Sequence, residues 1–139
     1  MINFSDIMIM FCLVLGENPK RRFSIDIRRD RDKKVGDEEI GFNKLNFGHF
    51  QKLVHAEIKY TSRASDLNLW KVFILTEGSN KKLKILQDHA ENNAEIDIEN
   101  QLGSVPLNLN DNIKDIFAED PPNKHIHIII EKPGKVLVW

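Results

Sequence analysis

Residues Ile7–Leu15 form an unbroken run of nine apolar side chains that ends at Gly16, and no other stretch restricts the fold as strongly. A membrane-spanning helix needs about 20 consecutive apolar residues, so this run is too short to cross a bilayer. It also lacks the marks of a secretory leader. No positive charge precedes it, Asp6 flanks it, and Gly16-Glu17-Asn18-Pro19 reads as a turn where a small-residue cleavage site would stand. Rich in Ile, Val and Phe, the run has the character of a central strand covered on both faces.

The rest of the chain supplies partners for that strand. Phe23, Ile25 and Ile27 alternate with Ser24 and Asp26, the period of a half-exposed strand, and the short connection through Asn18-Pro19 joins it to the first strand as an antiparallel hairpin. Asp30–Glu39 is charged and broken by Gly36 and Gly41, so an irregular loop is expected. Phe47, Phe50, Val54 and Ile58 then fall at steps of three and four, with Leu53 beside them. This spacing predicts an amphipathic helix capped by Asn46, whose buried stripe contributes on the order of 10 kcal/mol before entropy is subtracted. Gly48, in its first turn, weakens the helix and points to a close backbone approach.

Thr61–Asp66 reads as a loop and Leu67–Ile74 as a strand; Leu83–Leu86 suggests a short edge strand, and the polar Gln87–Asn100 a surface segment. Ile113–Phe117 gives one helical turn before Pro121-Pro122, and the β-branched His125–Ile130 a last strand. The first and last strands are the most uniformly apolar and are expected to lie centrally, paired in parallel. The expected class is α+β: a ubiquitin-like β-grasp, with a mixed sheet of four to five strands and one main helix across it.

Four local strings, in order, resemble the N-terminal header domain of Crinkler effectors, known from oomycetes and certain fungi, in its fungal form. They are Ile9–Glu17, Phe23–Ile27, the signature-like Leu67-Asn68-Leu69-Trp70-Lys71-Val72, and Asp120–Ile129. Phe47–Lys52 resembles the family's helix start, which implies that Arg29–Asn46 includes an insertion between hairpin and helix. The resemblance implies a domain over residues 1–131, with 132–139 a tail or the start of a linker to a variable C-terminal domain. It further implies a non-catalytic, ubiquitin-like targeting and protein-interaction header that is secreted into a host cell, with a C-terminal domain that often acts in the host nucleus. No cofactor is implied.

Composition agrees with one ordinary domain: 139 residues, 41% hydrophobic, 29% charged, net charge −1. That balance disfavours nucleic-acid binding by the domain as a whole. The single cysteine, Cys12, excludes an intramolecular disulfide, and in an apolar strand it reads as a small buried hydrophobe. His125 and His127, two apart on a strand and on one face with Ile129, could contribute to a metal site, but no third ligand stands at a usable spacing, and strand-surface histidines are expected instead. Asp30, Asp32, Asp37, Glu38 and Glu39 suggest the alternative of a small metal-dependent or nucleic-acid-processing domain. They are interleaved with cations and lack a glycine-rich phosphate cradle, so a self-neutralised loop is expected and no metal or catalytic residue is assigned.

The candidate partner-binding group is Lys20, Arg21, Arg22, Arg28, Arg29, Arg31, Lys33 and Lys34, cations at both ends of the second strand that make a local positive surface for an acidic partner, an import receptor or phosphates, with a protein partner, host or self, expected. Trp70 is expected to pack on the helix. The apolar Val136–Trp139 tail, or a sheet edge, offers a route to a homo-oligomer.

Overall fold

The structure, a computed structural model, describes residues 6–59 and 63–133. Strand β1 (Ile7–Val14) pairs antiparallel with β2 (Phe23–Arg28), Met10 lying opposite Ile25 and Cys12 opposite Phe23. Met8, Met10, Cys12, Ile25 and Ile27 thereby enter one core. The link between the strands is a 3-10 turn, Pro19–Arg21, capped by the Asn18 side chain.

Between the hairpin and the helix, the expected irregular loop is corrected: β3 (Lys33–Val35) and β4 (Glu38–Ile40) form a second hairpin, turning at Gly36 with φ +61°. Each strand contributes one apolar residue, Val35 or Ile40, and both are buried beside α1. With a single apolar residue per strand there is no alternation to read, so the charges dominate the sequence.

Helix α1 (Phe47–Ile58) lies where the apolar stripe placed it. The Asn46 side chain accepts from the His49 N–H, while the His49 ring accepts from the Asn46 N–H, a reciprocal cap. Gly48 does serve a close approach: its N–H donates to the Leu109 carbonyl at 2.9 Å, and a Cβ there would sit 3.1 Å from Asn46 Oδ1 and 3.4 Å from the Leu109 carbonyl oxygen. Among the stripe residues Phe47, Phe50 and Val54 are buried; Leu53 and Ile58 are half-buried at its margin.

Strand β5 (Asn68–Leu75) follows, then α2 (Lys81–Asn92), α3 (Ile98–Leu102), β6 (Val105–Pro106), α4 (Ile113–Ile116) and β7 (His125–Glu131). The main sheet runs β2-β1-β7-β5-β6. β1 and β7 are parallel, with Leu13 beside Ile129, and every other pair is antiparallel. The first and last strands are thus interior neighbours, as their uniform apolarity predicts. The fold is a mixed α+β domain on a five-stranded sheet.

Two expectations fail together on the far face. Leu83–Leu86 is not an edge strand but part of α2, and α1 is not the only main helix: α2 matches it in length. Asn80 caps α2 by accepting from the Leu83 N–H, and Asn93 ends it in the left-handed region. The three-residue step from Leu83 to Leu86 places both on one side, against Leu13, Val72, Ile74, Ile126 and Ile129, where Ile98 and Leu102 of α3 join them. Gln87–Asn100 does run along the surface, with Ile98 its one buried residue, and is largely helical. The sheet carries a separate apolar core on each face, as the uniformly apolar β1 and β7 demand.

Candidate functional site

The cationic candidates divide along β2. Lys20, Arg21 and Arg22 stand at its start; Arg28, Arg29, Arg31, Lys33 and Lys34 stand at its end or on the inserted hairpin. Six residues of strand separate them by about 20 Å, so they form two clusters along one edge and not a single patch. Residues 20–34 hold eight cations and three carboxylates, a net +5 within a chain of net −1. The positive charge of the protein is concentrated here.

Part of that charge is committed to structure. Arg28 grips Asp30 through two hydrogen bonds of 2.9 and 3.0 Å, which hold the Asp30 carboxyl below its usual range and raise the guanidinium further. Arg29 pairs with Asp120 and lies 5.7 Å from the centre of the Phe42 ring, fastening the hairpin to the segment before β7. Arg21 meets Glu17 at 3.6 Å. Lys33 donates to the Asp26 carbonyl at 3.1 Å and Arg22 to that of Pro19 at 3.1 Å. Lys20, Arg31 and Lys34 are exposed and have no ion pair among the described residues.

A cleft of about 700 Å³ opens between the end of β2 and the inserted hairpin; Arg29, Asp30, Arg31, Asp32, Glu38, Glu39 and His49 are among the side chains on it. Both signs of charge alternate around it. Asp30 is bound to Arg28, and no group of three His, Cys, Asp or Glu side chains among the described residues is close enough to hold a metal ion. Asp37 lies in the hairpin turn, away from this wall. The carboxylates that suggested a metal-dependent reaction are therefore not gathered into a site.

The histidines need a correction. His127 is no surface residue: it is fully buried. Its Nδ1 accepts the Phe11 N–H at 3.0 Å, and its Nε2 lies 2.7 Å from the Pro122 carbonyl, which fixes the neutral ring with the proton on Nε2. Burial, above all, pushes its proton affinity down. The ring thus supplies the acceptor that a ladder carbonyl would otherwise provide where β1 and β7 diverge. The pairing of β5 and β7 also shifts register nearby, three residues of β5 (Lys71 to Ile74) spanning two of β7, and so Ile126 joins Ile129 in the far-face core despite the odd spacing. His125 Nδ1 lies 2.8 Å from the Asn123 carbonyl. Cys12 is buried, and burial pushes its thiol pKa up, the reverse of an activated thiolate.

The signature residues Leu67, Leu69, Trp70, Lys71 and Val72 serve packing on both faces of β5. Leu67 and Leu69 enter the α1 core and Val72 the far-face core. Trp70 does not rest on α1 as expected; it is half-buried against the α2–α3 side, with its indole N–H donating to Glu131 at 3.2 Å. The Lys71 ammonium sits 5.0 Å above the Phe117 ring and donates to the Ile116 carbonyl at 3.2 Å. Sequence reasoning missed Glu131, Phe117 and Phe42 as partners; the first two lie far along the chain, and Phe42 lies across the inserted hairpin, so spacing carries no signal for any of them. The tail Val136–Trp139 lies outside the described residues. No helix among those described is long and apolar enough to cross a membrane.

The molecule is thus a small α+β domain whose distinctive surface is a cationic strand edge. The sequence profile of the Crinkler effector protein N-terminal domain matches residues 8–131, and the chain belongs to that family. No curated protein and no solved structure matches it.

Proposed function

We propose that this domain is a non-catalytic, ubiquitin-like targeting and protein-interaction header of a secreted effector, and that it meets an acidic protein surface through the cations of residues 20–34. The observation that carries this reading is the concentration of charge: net +5 within residues 20–34, at the two ends of β2, in a chain whose total is −1, in a domain of an effector family. Such a field steers an acidic partner and raises its association rate without requiring a pocket. Chemistry belongs to whatever domain is attached. The buried cysteine, the committed histidine and the self-neutralised carboxylates support that division of labour.

The test fuses a reporter enzyme after the domain and follows its arrival in host cells. The fusion is expected to arrive, and the combined Asp30→Asn, Asp32→Asn and Asp37→Asn variant to arrive equally well, since those carboxylates have no catalytic part. Arrival lost in that variant, with the fold intact by circular dichroism, would return the carboxylates to the centre of the mechanism.

A further inference from the structure

The geometry points to the outer edge of β2 as the docking line for an extended segment of a protein partner, alternating acidic and apolar residues, that adds to the sheet as a further strand. This deepens the interaction role proposed above and rests on it.

The main sheet has two edges. One is formed by β6, two residues long and containing Pro106, which has no N–H to offer, and by the end of β5 beyond Lys71, which β6 does not reach. The other is β2, six residues long, and no strand among those described pairs with its outer side. The direction of its backbone groups follows from a single bond. Arg29 donates its N–H to the Asp6 carbonyl at 2.8 Å, so the residues in step with it, Ile27 and Ile25, turn inward to β1. Ser24, Asp26 and Arg28 therefore turn N–H and C=O outward. The Asp26 carbonyl confirms this independently, because it is the group the Lys33 ammonium reaches from the inserted hairpin.

A lysine laid over an open edge is a known way to keep it from pairing indiscriminately. Its flexible stem also makes the cover removable: an arriving strand takes over the Asp26 carbonyl and offers the freed ammonium a carboxylate. The two faces of the edge then dictate the side chains of the strand. On the face turned away from α1 stand Arg22, Ser24, Asp26 and Arg28, so carboxylates opposite the two arginines are stabilised. On the other face, at the start of β2, a groove of about 260 Å³ opens beside the end of α1, its apolar part formed by Val14, Phe23 and Ile58 among the charged Glu17, Arg21, Glu57 and Lys132. An apolar residue of the strand fits there, opposite Phe23. A second copy of the chain fits less well: its own β2, centred on Asp26, would set Asp26 against Asp26 and bring two net +5 segments together.

The experiment uses the whole chain, labelled for NMR, and a short synthetic peptide alternating glutamate and valine. Hydrogen exchange of the Ser24, Asp26 and Arg28 amides is expected to slow by about tenfold or more on adding the peptide, while Ile25 and Ile27, already bonded inward, change little. A lysine–valine counterpart is expected to leave all five unchanged. Ser24→Pro deletes one outward N–H, keeps every cation, and is expected to abolish peptide binding; Arg22→Glu with Arg28→Glu is expected to weaken it by about tenfold. Should Ser24→Pro fail to fold, the exchange pattern of the unmodified protein decides the matter alone. Peptide binding that leaves the three outward amides unprotected overturns the proposal. So does concentration-dependent protection of those amides without peptide, accompanied by a dimer in sedimentation, or tighter binding of a short DNA duplex than of the peptide. If association with host protein depends on the cations but survives Ser24→Pro, the interaction role stands and strand addition falls.

Discussion

Replacing His127 by asparagine should flatten the pH dependence of folding stability without unfolding the domain. The ring is fully buried and accepts a backbone N–H at Nδ1. Protonation there both removes the acceptor and buries a charge; a buried N–H left without a partner costs about 1–3 kcal/mol. Three influences act on the group: burial lowers its proton affinity most, the Pro122 carbonyl raises it, and neighbouring His125 lowers it again. The folded pKa is therefore below the value of about 6.5 for a free histidine. The unfolded chain binds more protons as pH falls, so the contribution is fully present above pH ~6.5 and is lost as pH drops through the folded pKa. One such group gives at most about 1.4 kcal/mol per pH unit. His49, pushed the same way by burial and by Lys52, adds to the total slope. The difference between the two proteins isolates His127.

Asparagine places an amide oxygen near the Nδ1 position and does not titrate. It loses the bond to Pro122, which costs about 1 kcal/mol at neutral pH. Denaturant titrations of both proteins from neutral to acid pH should show that deficit shrinking, and then reversing, below pH ~6.5. Parallel curves would refute the reasoning, because they would mean that His127 takes up its proton as readily folded as unfolded.

Three other outcomes follow from the packing. Leu86→Ala should cost about 2–5 kcal/mol in denaturant melts, since α2 closes a core of its own; a cost below about 1 kcal/mol would reduce α2 to a surface ornament. Ser104 is buried and its hydroxyl has no partner among the described residues, so Ser104→Ala should be neutral or stabilising by up to about 1 kcal/mol in the same assay. The Cys12 thiol should resist a thiol-reactive dye in the native protein and react at once in denaturant; rapid native labelling would contradict its burial.

Elements with a long, unmixed period were legible in the sequence. β1, β2, α1, β5 and β7 each carry at least three apolar residues at one spacing, and the parallel pairing of β1 with β7 followed from their uniform apolarity. α2 was misread because Leu83, Ile85 and Leu86 fit a short strand as well as a helix; the arbiters were the Asn80 cap and the second face of β1, which needs cover of its own. The β3–β4 hairpin was hidden by its charges. At the candidate site, the cations were legible one by one. Their split along β2, their local partners and the outward-facing backbone were not, since these depend on register and on residues as distant as Asp120. The role of His127 was invisible for the same reason: its partner Phe11 lies at the other end of the chain.

The direct test of the interaction role is photo-crosslinking in host cells, with the reactive group placed at Ser24 or Arg31 on the cationic edge, or at the exposed Val105 of β6, at the opposite edge of the sheet. Host-protein adducts are expected from Ser24 and Arg31, are expected to disappear when Arg22, Arg28, Lys33 and Lys34 are changed to glutamate, and are not expected from Val105. Adducts that form equally from Val105, or that persist through the charge reversal, would contradict the interaction role.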